Sequence, residues 1–597
     1  MHKKLKDRYA RADEQARKLT ILCSNKLGEK LYTTTAPLLG LPSVRQARKI
    51  CAKDIGDHYY LPGINDWALD LAMQNEPRPL QNGMDGTRVI RVVELYRDEY
   101  LVGKAFPPDV RCFPSMNELD RAVSWQQIQN HVLDVREKKA YAAEAYSFNL
   151  SDTTGKTADI LTGSIPESKK GVTGDHILAL MLEFEKRAQI RNMPLVGHCT
   201  DSASNSLNAL IFLASPSTYD QLSVSLVFVG LPRSDYCFFA PFLRQSYPSI
   251  AYPCWDHSGR TVLRNLMNTR LTLVSGKLAR TQDGFQQYKT ADIQDLRKLK
   301  LANPSCTIKF ADITPKVRQN CDATTRVLTQ HVISDLKKFV PGSEGTQLYL
   351  TAATATHEPF RNTRFGPPPA IARSLWKGLM IWRRWRRYIE LTSDLTLEDH
   401  FISRSHYLTE ELLVHAGINH QLALYWCFPQ VPIAEYSMRN TGNRGLEAIH
   451  GMFRGGTTSL PITSANLTFA EFLARMTKAT QIHRTEHQLR QIEGHTIVAS
   501  KKKRRTNAHH STDSPNEASY ISYQKPSTYD QFITQLSAAC DDGDKDAKQV
   551  IEELAPEMAK TLKEYKEWDN PRVSVAAPPE GLKTLSGAKR SLVVDTV

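Results

Sequence analysis

Three acidic residues are placed where a divalent metal site could be built. Asp85 opens a strand-like segment, Asp201 ends another, and Glu447 lies in a segment with helical periodicity. Clustered carboxylates repel one another unless a cation lies among them, and their hard oxygen atoms favour Mg²⁺ or Mn²⁺. Two such ions about 3.5–4 Å apart activate an oxygen nucleophile and stabilise the leaving oxygen at a phosphodiester. The chemistry predicted is in-line phosphoryl transfer, which needs no covalent protein nucleophile.

Each acid also has an ordinary structural explanation. An Asp that follows a strand often caps a helix, and a Glu on a helix is usually solvated. Asp256 is an alternative metal ligand to Asp85, and its structural alternative is to cap a helix that begins near Ser258. The strands and helices on which the acids lie therefore bear on whether the acids bind a metal or only cap a helix or are solvated.

Strand and helix patterns alternate around the first two acids. β-branched and apolar residues on either side of Arg97-Asp98 predict a β-hairpin whose first strand opens at the first acid. Residues 144–150 and 193–201 predict two further strands, the second ending in the second acid, and residues 177–190 predict the helix between them. This alternation predicts an α/β domain with a mixed sheet.

Residues 281–434 have mostly helical patterns. Apolar and aromatic residues recur at helical spacing from Ile371 to Ile389, whereas Arg383, Arg384 and Arg387 fall off that stripe. The pattern predicts a core-facing helix with a basic outer face. Contact of the three arginines with a DNA backbone is the functional alternative.

Composition and charge limit the classes of protein to consider. The chain has 597 residues, of which 41% are apolar, and a formal net charge of +14. Collagen-like, small disulfide-rich and wholly disordered proteins are excluded, and the length suits about three or four domains. The sequence predicts no membrane helix and no secretory signal, since no apolar run is long enough. The basic excess favours a polyanionic partner, with DNA as the first candidate.

Two segments resemble a known family of enzymes. Residues 253–265, PCWDHSGRTVLRN, resemble the Asp-x-x-His-x-x-Lys-x-x-Arg-Asn block of P element and THAP-related transposases. Residues 446–454, LEAIHGMFR, followed by residues 466–472, are similar to the segment around that family's last catalytic acid. The resemblance covers roughly residues 80–480.

The resemblance implies a DDE-type transposase with an RNase H-like fold. In that fold the first acid lies on the first strand, the second at the end of the fourth, and the third on a later helix, which implies a catalytic triad of Asp85, Asp201 and Glu447. It also implies DNA contacts by Arg260 and Arg264, the transposon ends and a target DNA as partners, and a homo-oligomer.

The sequence also departs from the family pattern. His257 directly follows Asp256, and Gly259 stands where the family block has its histidine. The family's amino-terminal zinc-binding DNA reader, the THAP domain, cannot be placed in the first eighty residues. The long interval between Asp201 and Glu447 implies an inserted domain, which in the P element transposase binds GTP. GTP stays a candidate cofactor, although the chain has no G-x-x-x-x-G-K-[ST] motif.

The predicted organisation follows from these patterns. It comprises a basic helical amino-terminal region at 1–80, an RNase H-like catalytic domain at 81–275 and 435–485, a mainly helical insertion domain at 276–434, and a polar region at 486–597 with a carboxy-terminal helix and a disordered tail. The basic run 501–505 suits a nuclear import signal, with a solvated charge run as its structural alternative. A nuclear location is therefore predicted.

Two functions from different classes remain open at this point. The first is a transposase that cleaves DNA and joins its 3′ ends to a target. The second is a domesticated, catalytically inactive nuclear protein that keeps the fold and binds DNA or acts as a scaffold. An RNase H-like nuclease without strand transfer is a third, weaker option.

Overall fold

The structure is a computed structural model. It describes residues 14–24, 32–39, 41–55, 58–74, 77–97, 100–105, 125–138, 140–168, 173–201, 203–214, 228–230, 239–241, 247–267, 277–278, 287–288, 291–314, 321–362, 365–393, 395–436, 438–454, 467–493 and 523–565.

The strands, in chain order, are β1 (Gly63–Ile64), β2 (Leu80–Ile90), β3 (Glu94–Tyr96), β4 (Tyr100–Val102), β5 (Glu144–Asp152), β6 (Ile160–Glu167), β7 (Leu195–Thr200), β8 (Phe228–Gly230), β9 (Phe239–Pro241), β10 (Ile250–Pro253), β11 (Lys277–Leu278), β12 (Gln287–Tyr288) and β13 (Leu467–Thr468).

A helix over residues 14–24 precedes the numbered helices. These are α1 (Val44–Ile55), α2 (Asp66–Ala72), α3 (Trp125–Glu137), α4 (Gly174–Ile190), α5 (Ser204–Ala214), α6 (Trp255–Met267), α7 (Ile293–Ala302), α8 (Cys321–Val327), α9 (Gln330–Phe339), α10 (Glu344–Arg361), α11 (Pro368–Leu391), α12 (Leu397–His400), α13 (Arg404–Cys427), α14 (Arg444–Arg454), α15 (Phe469–Glu493), α16 (Tyr529–Leu554) and α17 (Pro556–Glu564). Among the described residues, no helix is long and apolar enough to cross a membrane.

The chain divides into two compact units. Unit 1 holds the described residues within 1–195 and 443–513, and unit 2 holds those within 196–442 and 514–595. The domain boundaries predicted from the sequence stay predictions. The coarse prediction of a mixed α/β protein with many helices is confirmed.

The sheet of unit 1 contains strands β1, β2, β5, β6 and β13. Strand β2 pairs antiparallel with β5, which pairs antiparallel with β6, and β6 pairs antiparallel with the short β1. The short strand β13 runs parallel to β2, so the sheet is mixed. Strand β2 therefore has a neighbour on β5 for most of its length and a second one at Val89 and Ile90.

The predicted hairpin is present as β3 and β4, which are separate from the strand that carries Asp85. Glu94–Tyr96 pairs with Tyr100–Val102, and Arg97 turns the chain with φ of 53°. The guanidinium of Arg97 lies 4.0 Å from the centre of the Tyr59 ring, a cation–π contact. The sequence pattern predicted one strand in place of β2 and β3, because residues 89–95 are continuously rich in apolar residues.

Helix α4 buries one apolar face. Thr173 caps its first turn by accepting a hydrogen bond from the backbone N–H of His176 at 3.3 Å, and Ile177, Leu180 and Phe184 are buried at helical spacing. The helix ends before Asn192, which adopts a φ of 49° that Asn tolerates better than most residues. The predicted helix over 177–190 is confirmed and begins three residues earlier.

Unit 2 contains a parallel strand pair and a large helical core. Strand β7 pairs with β10 in parallel register from Gly197 with Ile250 to Thr200 with Pro253. The helical core includes α11, on which Trp382 and Trp385 are fully buried with their rings stacked 5.5 Å apart. The predicted core stripe of this helix is confirmed.

The carboxy-terminal helices belong to this helical core. Helix α16 begins at Tyr529 and packs along α11. Gly543 allows the close approach, because a Cβ atom there would lie 2.5 Å from the carbonyl oxygen of Arg373. Two ion pairs join the helices, Arg373 with Asp546 and Arg384 with Asp544. The basic run 501–505 and the predicted disordered tail lie outside the described residues.

Candidate active site

Asp85 lies in the middle of β2, which pairs with β5 along most of its length. It is paired in register with Ser147 of β5, and its side chain is 20% exposed. Its Oδ1 accepts a hydrogen bond from the backbone N–H of Gly86 at 2.8 Å. Because side chains alternate along a strand, Gln81 and Gly83 share one face of β2 with Asp85. Oδ2 of Asp85 faces helix α14, as the following contacts show.

Helix α14 is fixed to β2 at the residue before Asp85. The side-chain Nδ2 of Asn443 donates a hydrogen bond to the carbonyl oxygen of Met84 at 2.9 Å, and both residues are fully buried. Gly83 makes room for this contact, because a Cβ atom there would lie 2.9 Å from Oδ1 of Asn443 and 2.2 Å from Oδ1 of Asn149. The start of α14 is therefore fixed over the middle of the strand.

Glu447 lies in the first turn of this helix. Its backbone N–H donates to the carbonyl oxygen of Asn443 at 2.8 Å, and its side chain is partly exposed. Leu446 and Ile449 are fully buried, so the helix packs on β2 and β5 through its apolar face. A carboxylate in the first turn is favoured by the helix dipole. The structure thus places Glu447 on a helix that covers the strand of Asp85.

His450 follows Glu447 by one helical turn and faces Asp85. Its Nδ1 lies 3.6 Å from Oδ2 of Asp85, and its side chain is 2% exposed. The ring of Phe472 on α15 lies 6.0 Å away, centre to centre. His450 was not among the site residues predicted from the sequence, although the Glu447-x-x-His450 spacing on a predicted helix was a signal for two polar side chains on one face.

Asp201 lies in unit 2, immediately after β7. Its Oδ1 accepts a hydrogen bond from the backbone N–H of Ala203 at 3.3 Å, just before α5 begins at Ser204. The hydroxyl of Thr200 donates to the carbonyl oxygen of Asp201 at 3.0 Å. The side chain is partly exposed, so this turn leaves it within reach of solvent. Its role as a metal ligand stays a prediction.

Asp256 lies in the first turn of α6, which begins at Trp255 instead of near Ser258. Its side chain is 2% exposed. Arg260 donates from Nε to the carbonyl oxygen of Asp256 at 3.4 Å, while the side chain of Arg264 is exposed. The alternative metal role of Asp256 and the DNA contacts of the two arginines stay predictions.

Helix α6 contributes two side chains to a buried polar network in unit 2. The fully buried carboxylate of Glu410 accepts hydrogen bonds from Ser258 at 2.6 Å and Thr356 at 2.7 Å, and it contacts Nε2 of His357 at 2.9 Å and of His406 at 3.2 Å. These partners, the two histidines foremost, hold the pKa of Glu410 well below its usual value against the cost of burial.

The second side chain that α6 contributes to this network is Asn265, whose Nδ2 lies 2.5 Å from Nδ1 of His406. Ser258 and Asn265 both belong to the segment 253–265 that resembles the transposase block. In this chain those two residues join α6 to α10 and α13, so part of the resemblance has a structural explanation.

The predicted basic outer face of α11 is wrong for Arg383 and Arg384. Arg384 is 4% exposed and pairs with Asp544 at 2.6 Å, and Arg383 donates from Nε to Glu411 at 3.1 Å. Arg387 alone of the three is substantially exposed, at 37%, and it pairs with Glu390. The prediction failed because α13 and α16 cover the side of α11 that a one-stripe pattern leaves to solvent.

Two donor atoms, one on β2 and one on α14, are spaced as two ligands of one divalent cation are. Two ligand atoms 3.6 Å apart, such as Oδ2 of Asp85 and Nδ1 of His450, reach one ion through bonds of about 2.0–2.2 Å at an angle of about 110–130°. A direct hydrogen bond at 3.6 Å is too long to count as one. The partial exposure of Asp85 leaves the ion a way in.

Comparison with known proteins adds one distant likeness. No protein-family model and no curated protein sequence matches the chain. A solved structure described as the Drosophila P element transposase strand transfer complex is similar with a TM-score of 0.46 and 12% sequence identity. The alignment covers 79% of this chain and 92% of that one. A likeness this distant assigns neither an activity nor a residue role to this chain.

Proposed function

We propose that the chain is a DDE-type, metal-dependent enzyme that cleaves DNA and joins 3′ ends, as transposases do. The observation that supports this most is the relation between β2 and α14. Asn443 fixes the helix of Glu447 to the carbonyl group beside Asp85. Two acids that lie 362 positions apart in the sequence are thus carried by two elements in direct contact.

The order of the strands supports the same proposal. If β2, β5 and β6 are the first three strands of an RNase H-like fold, β7 is the fourth in chain order and Asp201 follows it directly. The antiparallel pairing of β2, β5 and β6 and the parallel pairing of β7 with β10 suit that fold. The third acid then belongs on a later helix, where Glu447 lies.

Asp85 and Glu447 would hold Mg²⁺ or Mn²⁺, and the resemblance to the transposase family implies Asp201 as a further ligand. Such ions, when bound, activate the attacking oxygen and stabilise the leaving oxygen. The protein's own contribution is rigidity, because Asn443 and the buried residues Leu446 and Ile449 hold the turn that carries Glu447. Gly86 orients the carboxylate of Asp85 by its hydrogen bond to Oδ1.

DNA is proposed as the substrate because the chain carries a formal net charge of +14. With about 6–10 phosphate contacts, affinity for DNA should fall on the order of 10³–10⁵-fold between 50 and 200 mM salt. The predicted nuclear location and homo-oligomer belong to the same proposal, and GTP stays a candidate cofactor. An affinity for duplex DNA that does not change with salt would contradict the choice of substrate.

The experiment that tests the activity is nicking of supercoiled DNA and joining of a 3′-hydroxyl oligonucleotide to it, with Mg²⁺ or Mn²⁺. We expect Asp85→Asn, Asp201→Asn and Glu447→Gln each to abolish both reactions while DNA binding remains. Glu471→Gln, a surface acid at the start of α15, is the matched control and should keep the activity.

The same assay separates the alternatives. A protein that binds DNA but gives no cleavage with either ion would be the inactive scaffold. Cleavage without joining would indicate a nuclease. Full activity in Asp85→Asn would show that the proposed site is wrong, whatever the reaction.

A further inference from the structure

The strongest remaining feature is His450, a buried imidazole at the proposed acidic site. It lies on the same helix as Glu447, one turn further along, and its Nδ1 faces Oδ2 of Asp85 at 3.6 Å. The spacing exceeds that of a hydrogen bond and suits two ligands of one ion. A helix presents residues i and i+3 on one face, so Glu447 and His450 project from the same side of α14.

The position of His450 is fixed by packing. Its side chain is 2% exposed, it lies beside the ring of Phe472, and its helix is held to β2 by the Asn443 hydrogen bond. A buried side chain on an anchored helix has few other rotamers to adopt, which is the preorganisation that a metal ligand needs.

A second pair in unit 1 shows why the Asp85 pair differs from an ordinary acid–histidine contact. Oε1 of Glu167 lies 3.4 Å from Nδ1 of His176, but burial, together with the nearby Glu144 carboxylate, raises the pKa of Glu167 to about 8. A carboxyl group that stays protonated near neutral pH is a poor metal ligand. Asp85 is 20% exposed and keeps contact with solvent, whereas Glu167 is almost completely buried.

We infer that His450 is a metal ligand together with Asp85, and that its imidazole shifts the site from Mg²⁺ towards first-row transition divalent cations such as Mn²⁺. This inference rests on the proposed function, because it assumes that Asp85 holds the catalytic ion. Mg²⁺ is bound mainly by carboxylates and keeps several waters, whereas first-row transition cations accept nitrogen donors with affinities that rise from Mn²⁺ to Cu²⁺. A histidine nitrogen beside the carboxylate of Asp85 therefore changes which ion the site retains.

The test is binding of Mn²⁺ to the full-length protein without DNA, measured by titration and by pulsed electron paramagnetic resonance. We expect wild-type protein to show ¹⁴N modulation from a coordinated imidazole and to bind Mn²⁺ more tightly than Mg²⁺. His450→Gln should lose the nitrogen signal, weaken Mn²⁺ binding by at least about 10-fold, since loss of even an outer-shell partner costs about that much, and change Mg²⁺ binding less.

The controls separate failure of the inference from failure of the proposed function. His450→Phe keeps a ring beside Phe472 without a nitrogen and should match His450→Gln, while His176→Gln should leave Mn²⁺ binding and the ¹⁴N signal unchanged. Bound Mn²⁺ without ¹⁴N modulation in the wild-type protein overturns the inference, even if both His450 variants fail to fold. Unchanged Mn²⁺ binding in Asp85→Asn overturns the proposed metal site itself.

Discussion

Asn443 donates a hydrogen bond to the carbonyl oxygen of Met84, which fixes the helix of Glu447 to the strand of Asp85. Asn443→Ala would leave that buried carbonyl without its partner, so we expect a loss of about 1–3 kcal/mol in the free energy of unfolding. Urea denaturation measures it. Asn130→Ala, which removes an exposed side-chain hydrogen bond on α3, is the control and should change stability by less than about 0.5 kcal/mol. Equal stability of the two variants would show that the contact does not hold α14.

Gly83 and Gly86 on the same strand offer a matched pair of substitutions. A Cβ atom on Gly83 would lie 2.2 Å from Oδ1 of Asn149, whereas one on Gly86 meets nothing closer than Glu144 Oε2 at 3.4 Å. Gly83→Ala should therefore destabilise the protein by about 1–3 kcal/mol, and Gly86→Ala should be close to neutral. Thermal unfolding measures both. A Gly83→Ala protein as stable as Gly86→Ala would mean that Asn149 and Asn443 have room to move aside.

The sequence predicted the elements that carry the acids better than the contacts between them. Helix α4, strand β5 and the strand before Asp201 follow local periodicity, and all three were found within a few residues. Strand β6 was missed because its apolar residues are interrupted by Thr162, Gly163 and Ser164. Thr162 and Ser164 are buried in spite of their polar side chains, so tertiary packing overrides the pattern.

The candidate site was also predicted only in part, because some of its contacts join residues far apart in the sequence. Asp85 and Glu447 could be proposed from residue type and order, but the role of Asn443 depends on a partner 359 positions away. Arg384 was wrongly predicted to lie on an exposed face of its helix. Its partner Asp544 lies in a segment that was predicted from the sequence to be a polar terminal region. One-dimensional periodicity identifies a buried face of a helix and does not tell how many other elements cover the rest.

Glu167 predicts a pH dependence of stability in unit 1. Burial, followed by the Glu144 carboxylate opposite it in the sheet, raises the pKa of Glu167 to about 8, and His176, its other titratable neighbour, has its own pKa lowered by burial. The folded protein keeps this carboxyl protonated, while the unfolded chain ionises it near its ordinary value of 4.5. The stability that this group contributes is therefore fully present below about pH 4.5 and is lost as the pH rises through about 8.

The measurement is the free energy of unfolding of wild type and Glu167→Gln from pH 5 to 9. The variant should become more stable relative to wild type as the pH rises, by at most about 1.4 kcal/mol per pH unit. Glu137→Gln on the exposed side of α3 is the control and should follow the wild-type curve. A difference between wild type and Glu167→Gln that stays constant across this range would contradict the raised pKa.

The buried Arg384 and the exposed Arg387 of α11 should contribute differently to stability. Arg384→Ala leaves the carboxylate of Asp544 at a largely buried position where Lys548, 3.5 Å away, is its remaining ion-pair partner among the described residues, so we expect a loss of about 3–5 kcal/mol. Arg387→Ala removes an exposed pair with Glu390 and should cost less than about 1 kcal/mol. Replacing both members of the buried pair, as Arg384→Met with Asp544→Leu, should recover much of the loss because no uncompensated charge remains. Chemical denaturation of wild type, the two single variants and the double variant measures these changes. An Arg384→Ala variant no less stable than Arg387→Ala would mean that α16 does not depend on the Arg384–Asp544 pair to pack against α11.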